Sequence, residues 1–178
     1  MTQDERGLRL LIEAGCFRSA VNLTGRCLTI YGQGYGRAGQ PTKHSPHSLQ
    51  LWFTRFALLL KLGYYDLLQN ESEAFGLLNR PDVYFQFYPE MYPGRKGSMA
   101  SFSFRLLLAK MPSFLGSHET SLDRLTDMSN ICTEIKEYYL ADDNQVAVEF
   151  WQKRENAVLD SLLNCSLSVI DDSAPLGR

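Results

Sequence analysis

Apolar residues recur every three to four positions along most of this chain, and the alternation of apolar and polar residues that marks a strand is nearly absent. Spacing of this kind is typical of helices that bury one face. The sequence therefore predicts an all-α fold of about seven helices with two long loops, at 32–47 and 80–98. The predicted helices cover about 3–14, 17–31, 46–63, 65–78, 99–111, 120–140 and 143–170. We expect residues 1–170 to form a single domain and residues 171–178 to be a frayed tail.

Several residues mark helix ends because they satisfy or avoid the free backbone groups there. Gly15 and Gly63 suit the left-handed backbone that follows a helix, and Ser45 with Pro46 suits a helix start. Pro112 with Gly116 is expected to end the fifth helix. Three pairs have the spacing of a capping box, in which two side chains satisfy amide donors at the helix start: Thr2 with Glu5, Thr120 with Asp123, and Asp142 with Gln145.

Two of the predicted helical hairpins repeat each other. GCFRSA at residues 15–20 and GYYDLL at residues 63–68 both place an aromatic residue two positions after the glycine and a small or apolar residue three further on. Their offset is 48 residues, and it becomes about 34, the period of a tetratricopeptide repeat (TPR), once an insertion of about 14 residues in the first loop is removed. The pattern predicts a right-handed α-solenoid of TPR-like hairpins. Its structural positions are Gly15, Phe17, Ala20, Trp52, Gly63, Tyr65 and Leu68.

The composition is that of an ordinary soluble chain. Lys and Arg number 18 against 20 Asp and Glu, a net charge of −2, so no general attraction to nucleic acid or anionic membrane is expected. The first residues lack the basic and then apolar pattern of a secretion signal. No apolar run approaches the roughly 18 residues of a membrane span. Four widely spaced cysteines are expected to be buried free thiols: Cys16, Cys27, Cys132 and Cys165.

No group of residues indicates catalysis or a cofactor. Residues 34–39 match the GxGxxG pattern of dinucleotide-binding turns, but a helix precedes them and Pro41 follows, where a strand and a helix start are needed. His44, His47 and His118 lack the neighbouring thiolates or carboxylates that complete a metal site. We therefore expect no enzyme activity, no cofactor, no metal and no small-molecule substrate.

An aromatic segment at residues 84–93 is the densest feature that the helical pattern leaves unexplained. Aromatic side chains bury a large area for few rotatable bonds, and they often anchor interfaces. Two interpretations stay open at this point: the segment folds back on its own helices, or it contacts a partner protein. The candidate contact residues are Tyr84, Phe85, Phe87, Tyr88, Met91 and Tyr92.

Three long stretches resemble the TPR subunits of the TRAPP (trafficking protein particle) tethering complex. They are LLIEAGCFRSAVNLT at residues 10–24, KHSPHSLQLWFTRFALLLKLG at residues 43–63, and YPGRKGSM at residues 92–99. The resemblance covers roughly residues 1–140 well and the last helix loosely. In the second repeat Trp52 fits the tryptophan of the TPR consensus, whereas Arg55 stands where a leucine is expected.

The resemblance implies a non-enzymatic scaffold subunit of a vesicle-tethering complex that acts in endoplasmic-reticulum-to-Golgi transport and autophagy. It implies other TRAPP subunits as partners, no nucleic acid, and a cytoplasmic location at the surface of the ER–Golgi intermediate compartment and Golgi membranes without insertion into them. The chain stops inside a further repeat, which predicts a fragment or short form of a longer solenoid. The alternative is a free-standing TPR module that binds peptides as a co-chaperone-like adaptor.

Overall fold

The computed structural model describes residues 3–34 and 43–173, and these residues form seven α-helices. The prediction of an all-α fold is confirmed, while the solenoid and its hand stay predictions. The helices are α1 (Gln3–Glu13), α2 (Phe17–Ile30), α3 (Pro46–Leu62), α4 (Tyr65–Ser72), α5 (Phe102–Phe114), α6 (His118–Ala141) and α7 (Gln145–Ser173).

The start of α3 follows directly from its sequence. The Ser45 side chain accepts a hydrogen bond from the Ser48 backbone N–H at 3.0 Å, and the Ser48 hydroxyl accepts one from the Ser45 N–H at 3.0 Å. This is a capping box, and Pro46 occupies the first helical position, where no N–H is needed. The capping box predicted from Thr2 and Glu5 lies outside the described residues, because Thr2 does.

The same backbone turn joins four pairs of consecutive helices. In each turn one residue has positive φ: Gly15 (72°), Gly63 (71°), Gly116 (83°) and Asp143 (51°). Its N–H donates to the carbonyl three residues earlier, and the next N–H donates to the carbonyl five residues earlier. This pair of bonds is the Schellman motif. The next helix begins two residues after the left-handed position every time, so the left-handed caps predicted at Gly15 and Gly63 are confirmed.

The fourth helix is shorter than predicted. It ends at Ser72, and a 3₁₀ turn at Glu73–Phe75 follows it. Gly76 and Leu78 then have φ of 50° and 58°, values that an α-helix cannot accommodate. Leu78 is nevertheless fully buried, so the apolar pattern that predicted a helix to residue 78 reports burial and not helical backbone.

The prediction that Pro112 ends the fifth helix is also wrong, because α5 continues to Phe114. A proline removes the hydrogen bond to the carbonyl four residues earlier, here Leu108. The Arg124 guanidinium donates to this Leu108 carbonyl at 3.2 Å and so satisfies the acceptor that Pro112 leaves open. Pro112 lies in the last turn, and Gly116 makes the reversal that follows.

The two remaining predicted capping boxes do not form. The sixth helix begins at His118, so Thr120 lies inside it, and its N-cap residue Ser117 makes no side-chain capping bond. At the start of α7 the side-chain oxygen of Asn144, not that of Asp142, accepts the Ala147 N–H at 3.1 Å. The left-handed turn sets where both helices begin, and it overrides the capping-box spacing in the sequence.

The chain divides into two compact units, Met1–Arg105 and Leu106–Arg178, and α5 contributes residues to both. In the first unit α2 packs on α1 and on α3, and α3 packs on α4. Its core contains four aromatic rings with centroid separations of 5.2 to 5.8 Å: Trp52, Phe56, Phe75 and Phe104. The single domain predicted over 1–170, with its frayed tail, stays a prediction.

A buried ion pair joins three helices of the first unit. Arg55 on α3 donates to both carboxylate oxygens of Glu71 on α4, at 2.6 and 2.8 Å. Its remaining terminal nitrogen donates to the Val21 carbonyl on α2 at 2.9 Å. The side chains of Arg55 and Glu71 are 7% and 8% exposed. The charge that Arg55 buries on α3 is therefore matched by Glu71 on the next helix.

The described ends of the first loop are fixed by a buried glutamine. The Trp52 indole N–H donates to Gln33 at 2.6 Å, and the Gln33 amide donates to the Lys43 carbonyl at 3.3 Å. Gln33 is almost completely buried. The GxGxxG match at 34–39 lies outside the described residues except for Gly34.

In the second unit α6 and α7 run antiparallel. Lys136 hydrogen-bonds to Gln152 at 3.0 Å near one end, and the Cys165 thiol lies 3.7 Å from the His118 carbonyl near the other. Between them Glu155 accepts hydrogen bonds from Lys136 and from Thr133, and these bonds lower the pKa of the Glu155 carboxyl. This polar cluster fixes the register of the hairpin.

Candidate interaction surfaces

The aromatic segment lies in an ordered loop of the first unit. Two short 3₁₀ turns, Pro81–Val83 and Phe85–Phe87, lie on either side of Tyr84, which forms an antiparallel bridge with Ser98. Backbone hydrogen bonds from Phe85 to Gly97 at 3.0 Å and from Met99 to Val83 at 2.9 Å close the loop on itself. Its side chains are therefore held by a fixed backbone.

Arg105 holds the beginning of the loop. Its guanidinium donates to the Tyr84 hydroxyl at 3.3 Å and lies 5.6 Å from the centre of that ring. It also donates to the Leu78 carbonyl and to the Ser98 hydroxyl, both at 2.9 Å. Tyr84 is thus part of the loop's internal support.

Two further rings of the segment pack against each other. Phe85 and Tyr92 meet edge to face with a centroid separation of 5.1 Å, a favourable geometry for aromatic pairs. The Arg95 guanidinium lies 5.1 Å from the Phe85 ring, close enough for a cation–π contact. Both rings are half-buried, so they support the loop.

Tyr88 ties the aromatic loop to the end of the first loop. Its hydroxyl accepts the backbone N–H of His44 at 3.3 Å, and burial raises the pKa of that hydroxyl. Burial also lowers the pKa of the His44 imidazole, although the Asp82 carboxylate 3.9 Å away partly opposes this shift. A neutral His44 between Phe75 and Tyr88 is therefore part of the packing.

Phe87 and Met91 are the two candidate residues that the fold leaves exposed, at 54% and 52%. The other four candidates are half-buried. The structure thus divides the segment between the two interpretations, with four side chains packed on their own chain and two available to a partner. Contact with a partner stays a prediction for all six.

The repeat positions differ in what they do. Ala20 and Leu68 are fully buried, and so is Trp52. Phe17 is half-buried beneath the Lys61 ammonium, which lies 4.9 Å from the ring centre. Tyr65, which follows Gly63 as Phe17 follows Gly15, is 43% exposed. Ala20, Leu68 and Trp52 therefore fill the core, whereas Phe17 and Tyr65 cover its edge.

The histidines and cysteines were candidate ligands in the sequence. His47 pairs with the Glu5 carboxylate at 3.0 Å, whereas His44 lies against Phe75 and Tyr88. Within residues 3–34 and 43–173 no three His, Cys, Asp or Glu side chains are grouped so that they could hold a metal ion. The cysteines are free, and burial raises the thiol pKa of Cys27, Cys132 and Cys165.

Cys16 corrects the prediction of four buried thiols. It is exposed because it lies in the turn between α1 and α2, directly after the left-handed Gly15. In the part of the chain that the structure describes, no helix is both long enough and apolar enough to cross a membrane.

A second exposed apolar surface lies on the α6–α7 hairpin, and the helical pattern alone did not locate it. Three leucines follow each other at every fourth position of α7 and are 47%, 61% and 50% exposed: Leu159, Leu163 and Leu167. We call them the leucine stripe. Val158 and Cys165, on the other side of α7, are buried.

Comparison with known proteins identifies related chains. No protein-family model matches this chain, and no solved structure matches it. Trafficking protein particle complex subunit 12 of Mus musculus is 45% identical over 93% of the chain and 22% of the relative. The Homo sapiens protein of the same name is 43% identical over 93% of the chain and 24% of the relative. The chain is homologous to part of this TRAPP subunit.

The predicted resemblance to TRAPP subunits is thereby confirmed. The chain spans about a quarter of the length of the two TRAPP subunit 12 relatives. Because 93% of the chain aligns with each of them, the similarity includes residues of both compact units and reaches into α7. Both surfaces described above therefore belong to a chain whose relatives are named as subunits of a complex.

Proposed function

We propose that this chain is a non-enzymatic scaffold of a TRAPP vesicle-tethering complex, acting in endoplasmic-reticulum-to-Golgi transport and autophagy. The observation that carries the proposal is the 43–45% identity to TRAPP subunit 12 along 93% of the chain. Its partners are other TRAPP subunits, and its place is the cytoplasmic surface of the ER–Golgi intermediate compartment and Golgi membranes.

The two exposed apolar surfaces support a binding role. Monomeric proteins seldom expose apolar side chains in contiguous groups, and such groups often mark interfaces. Phe87 and Met91 lie on one loop held by its own backbone, and the leucine stripe lies on a long helix. Rigid surfaces bind with little loss of conformational entropy, which suits a scaffold.

Affinity purification from human cells tests the proposal. The tagged chain should enrich TRAPP subunits, measured by quantitative mass spectrometry against the tag alone. The double variant Phe87→Ser/Met91→Ser should reduce this enrichment. A matched control is Leu77→Ser, since Leu77 is 40% exposed in the same unit but outside the aromatic loop.

Two outcomes would contradict the proposal. Enrichment of chaperones without any TRAPP subunit would favour the peptide-binding adaptor instead. An unaltered chain that enriches no TRAPP subunit above the tag alone would reject membership of the complex. Full enrichment by the Phe87→Ser/Met91→Ser variant would reject the loop as the contact and leave membership standing.

A further inference from the structure

The small net charge of the chain hides an uneven distribution. Residues 1–105 contain twelve Lys and Arg against eight Asp and Glu, a net charge of +4. Residues 106–178 contain six against twelve, a net charge of −6. The leucine stripe therefore lies on the acidic unit of the chain.

Three of the four basic side chains of α6 and α7 are engaged within the second unit, whereas Lys153 is exposed. Arg124 donates to the Leu108 carbonyl at 3.2 Å, and Lys136 pairs with Glu155. The Arg154 guanidinium lies 4.1 Å from the Phe150 ring centre. The acidic side chains, in contrast, point to solvent along α6: Glu119, Asp123, Asp127, Glu134 and Glu137.

One exposed acidic side chain lies beside the stripe itself. Asp160 is exposed one turn before Leu163 on the same helix, and residues three apart on a helix are neighbours. The sequence from 155 to 173 contains no Lys or Arg. The carbonyl end of a helix also carries partial negative charge, and the last turn of α7 has no basic residue to offset it.

The shape of the stripe suits a helix. Three leucines at four-residue spacing span about 12 Å at 1.5 Å per residue, and they form one of the ridges along which helices pack. A partner helix would contact such a ridge with apolar residues three and four apart. Because Asp160 beside the stripe and the unit as a whole are negative, a partner with Lys or Arg flanking its apolar face would bind best.

We infer that the leucine stripe binds an amphipathic helical segment of a partner protein whose apolar face is flanked by Lys and Arg. The inference rests on the proposed function, since it names the kind of partner that the scaffold holds. An anionic membrane is disfavoured because the unit is itself negative. Pairing of the stripe with the same stripe of a second copy is disfavoured because it would bring like charges together.

Two synthetic peptides test the inference with the full chain. Both are 18-residue helices with leucine at positions i, i+3, i+4 and i+7, flanked by lysine in one and by glutamate in the other. Fluorescence anisotropy of the labelled peptides gives the dissociation constants. We expect the lysine peptide to bind in the micromolar range and at least about tenfold more tightly than the glutamate peptide at low salt, with the difference shrinking as salt is added.

Single substitutions locate the site. Leu163→Ser should weaken binding of the lysine peptide about tenfold, since it removes one buried leucine from the contact. Asp160→Lys should weaken the lysine peptide about threefold or more and strengthen the glutamate peptide. Leu140→Ser is the matched control, because Leu140 on α6 is 62% exposed and Leu163 is 61% exposed. Circular dichroism checks that each variant keeps its helices.

Equal affinity for the two peptides would overturn the inference, as would no binding of either at 1 mM peptide. Equal weakening by Leu163→Ser and Leu140→Ser would also overturn it. Sedimentation equilibrium that shows a dimer abolished by Leu163→Ser would assign the stripe to a second copy instead. The peptide assay contains no TRAPP subunit, so a negative result there leaves the proposed function intact. Failure of the unaltered chain to co-purify with TRAPP subunits, in contrast, rejects the proposed function.

Discussion

Replacing Glu71 by alanine should be among the most destabilising single substitutions in this chain. Glu71 and Arg55 are 8% and 7% exposed, and they are joined by two hydrogen bonds of 2.6 and 2.8 Å. Without the carboxylate, the hydrogen bonds that the buried guanidinium keeps among the described residues are to the Val21 carbonyl and the Thr24 hydroxyl, at 2.9 and 3.4 Å. Leaving a buried charge without its partner costs about 3–5 kcal/mol.

A double variant separates the penalty of an unpaired charge from the value of the pair. Arg55→Met/Glu71→Leu replaces both charges by apolar groups of similar volume, and buried ion pairs replaced in this way often change stability little or raise it. We expect it to unfold within about 1 kcal/mol of the unaltered chain or to be more stable. The single variant should therefore be less stable than the double variant.

Urea titration followed by circular dichroism at 222 nm measures these free energies of unfolding. Glu13→Ala is the control, because Glu13 forms an exposed pair with Arg9 at 3.1 Å on α1 and should lose no more than about 0.5 kcal/mol. A cost below about 1 kcal/mol for Glu71→Ala, or equal costs for the single and double variants, would refute the reasoning that the pair is buried and mutually dependent.

Three further predictions concern other features of the fold. Gly63→Val should lower the free energy of unfolding by roughly 1–3 kcal/mol through backbone strain alone, since no atom lies closer than 3.9 Å to the position of the added carbon. An unchanged melting temperature would contradict the left-handed cap. Burial lowers the pKa of the His44 imidazole, Asp82 partly opposes the shift, and Arg80 adds to it. The contribution of His44 to stability should therefore be complete above about pH 6.5 and lost as the pH falls through the lowered pKa. In urea titrations His44→Gln should lose less stability than the unaltered chain between pH 7.5 and 5.5, and equal losses would contradict this. Phe87→Ser should change the melting temperature little, whereas Phe75→Ala should lower the free energy of unfolding by about 3–5 kcal/mol. Equal effects of the two substitutions in calorimetry would contradict the difference in burial between the two rings.

The helices and their turns could be predicted because their causes are local. Helical spacing of apolar residues, the glycines after α1 and α3, and Ser45 with Pro46 all act within a few residues of where they stand. The relation to TRAPP subunits could be predicted for the same reason, since three contiguous stretches carry it.

The predictions that are wrong concern features that depend on residues distant in the sequence. Pro112 lies within α5 because Arg124, twelve residues away, bonds to the carbonyl that the proline leaves free. The fourth helix ends before Leu78, although Leu78 is buried. An apolar residue at helical spacing therefore indicates burial there without indicating helical backbone. Arg55 cannot be recognised as buried from sequence, because its partner is on another helix.

The aromatic segment could be located from sequence, but which of its side chains are packed and which are exposed could not be predicted. Its composition indicates an interface or a packed loop, and the contacts that distinguish packed from exposed side chains involve residues elsewhere in the fold. Arg105 engages Tyr84, and the His44 backbone engages Tyr88. Phe87 and Met91 then stay exposed. The leucine stripe could not be predicted because helical spacing alone does not say which apolar residues of α7 stay exposed.

As a scaffold, this chain should bind TRAPP subunits directly. Size-exclusion chromatography of the purified chain mixed with purified TRAPP complex lacking its own subunit 12 measures this binding. We expect the unaltered chain and the Leu140→Ser variant to elute with the complex, and we expect combined substitution of Phe87, Met91 and Leu163 by serine to leave a folded chain that elutes alone. Separate elution of the unaltered chain and the complex at micromolar concentrations would contradict this expectation.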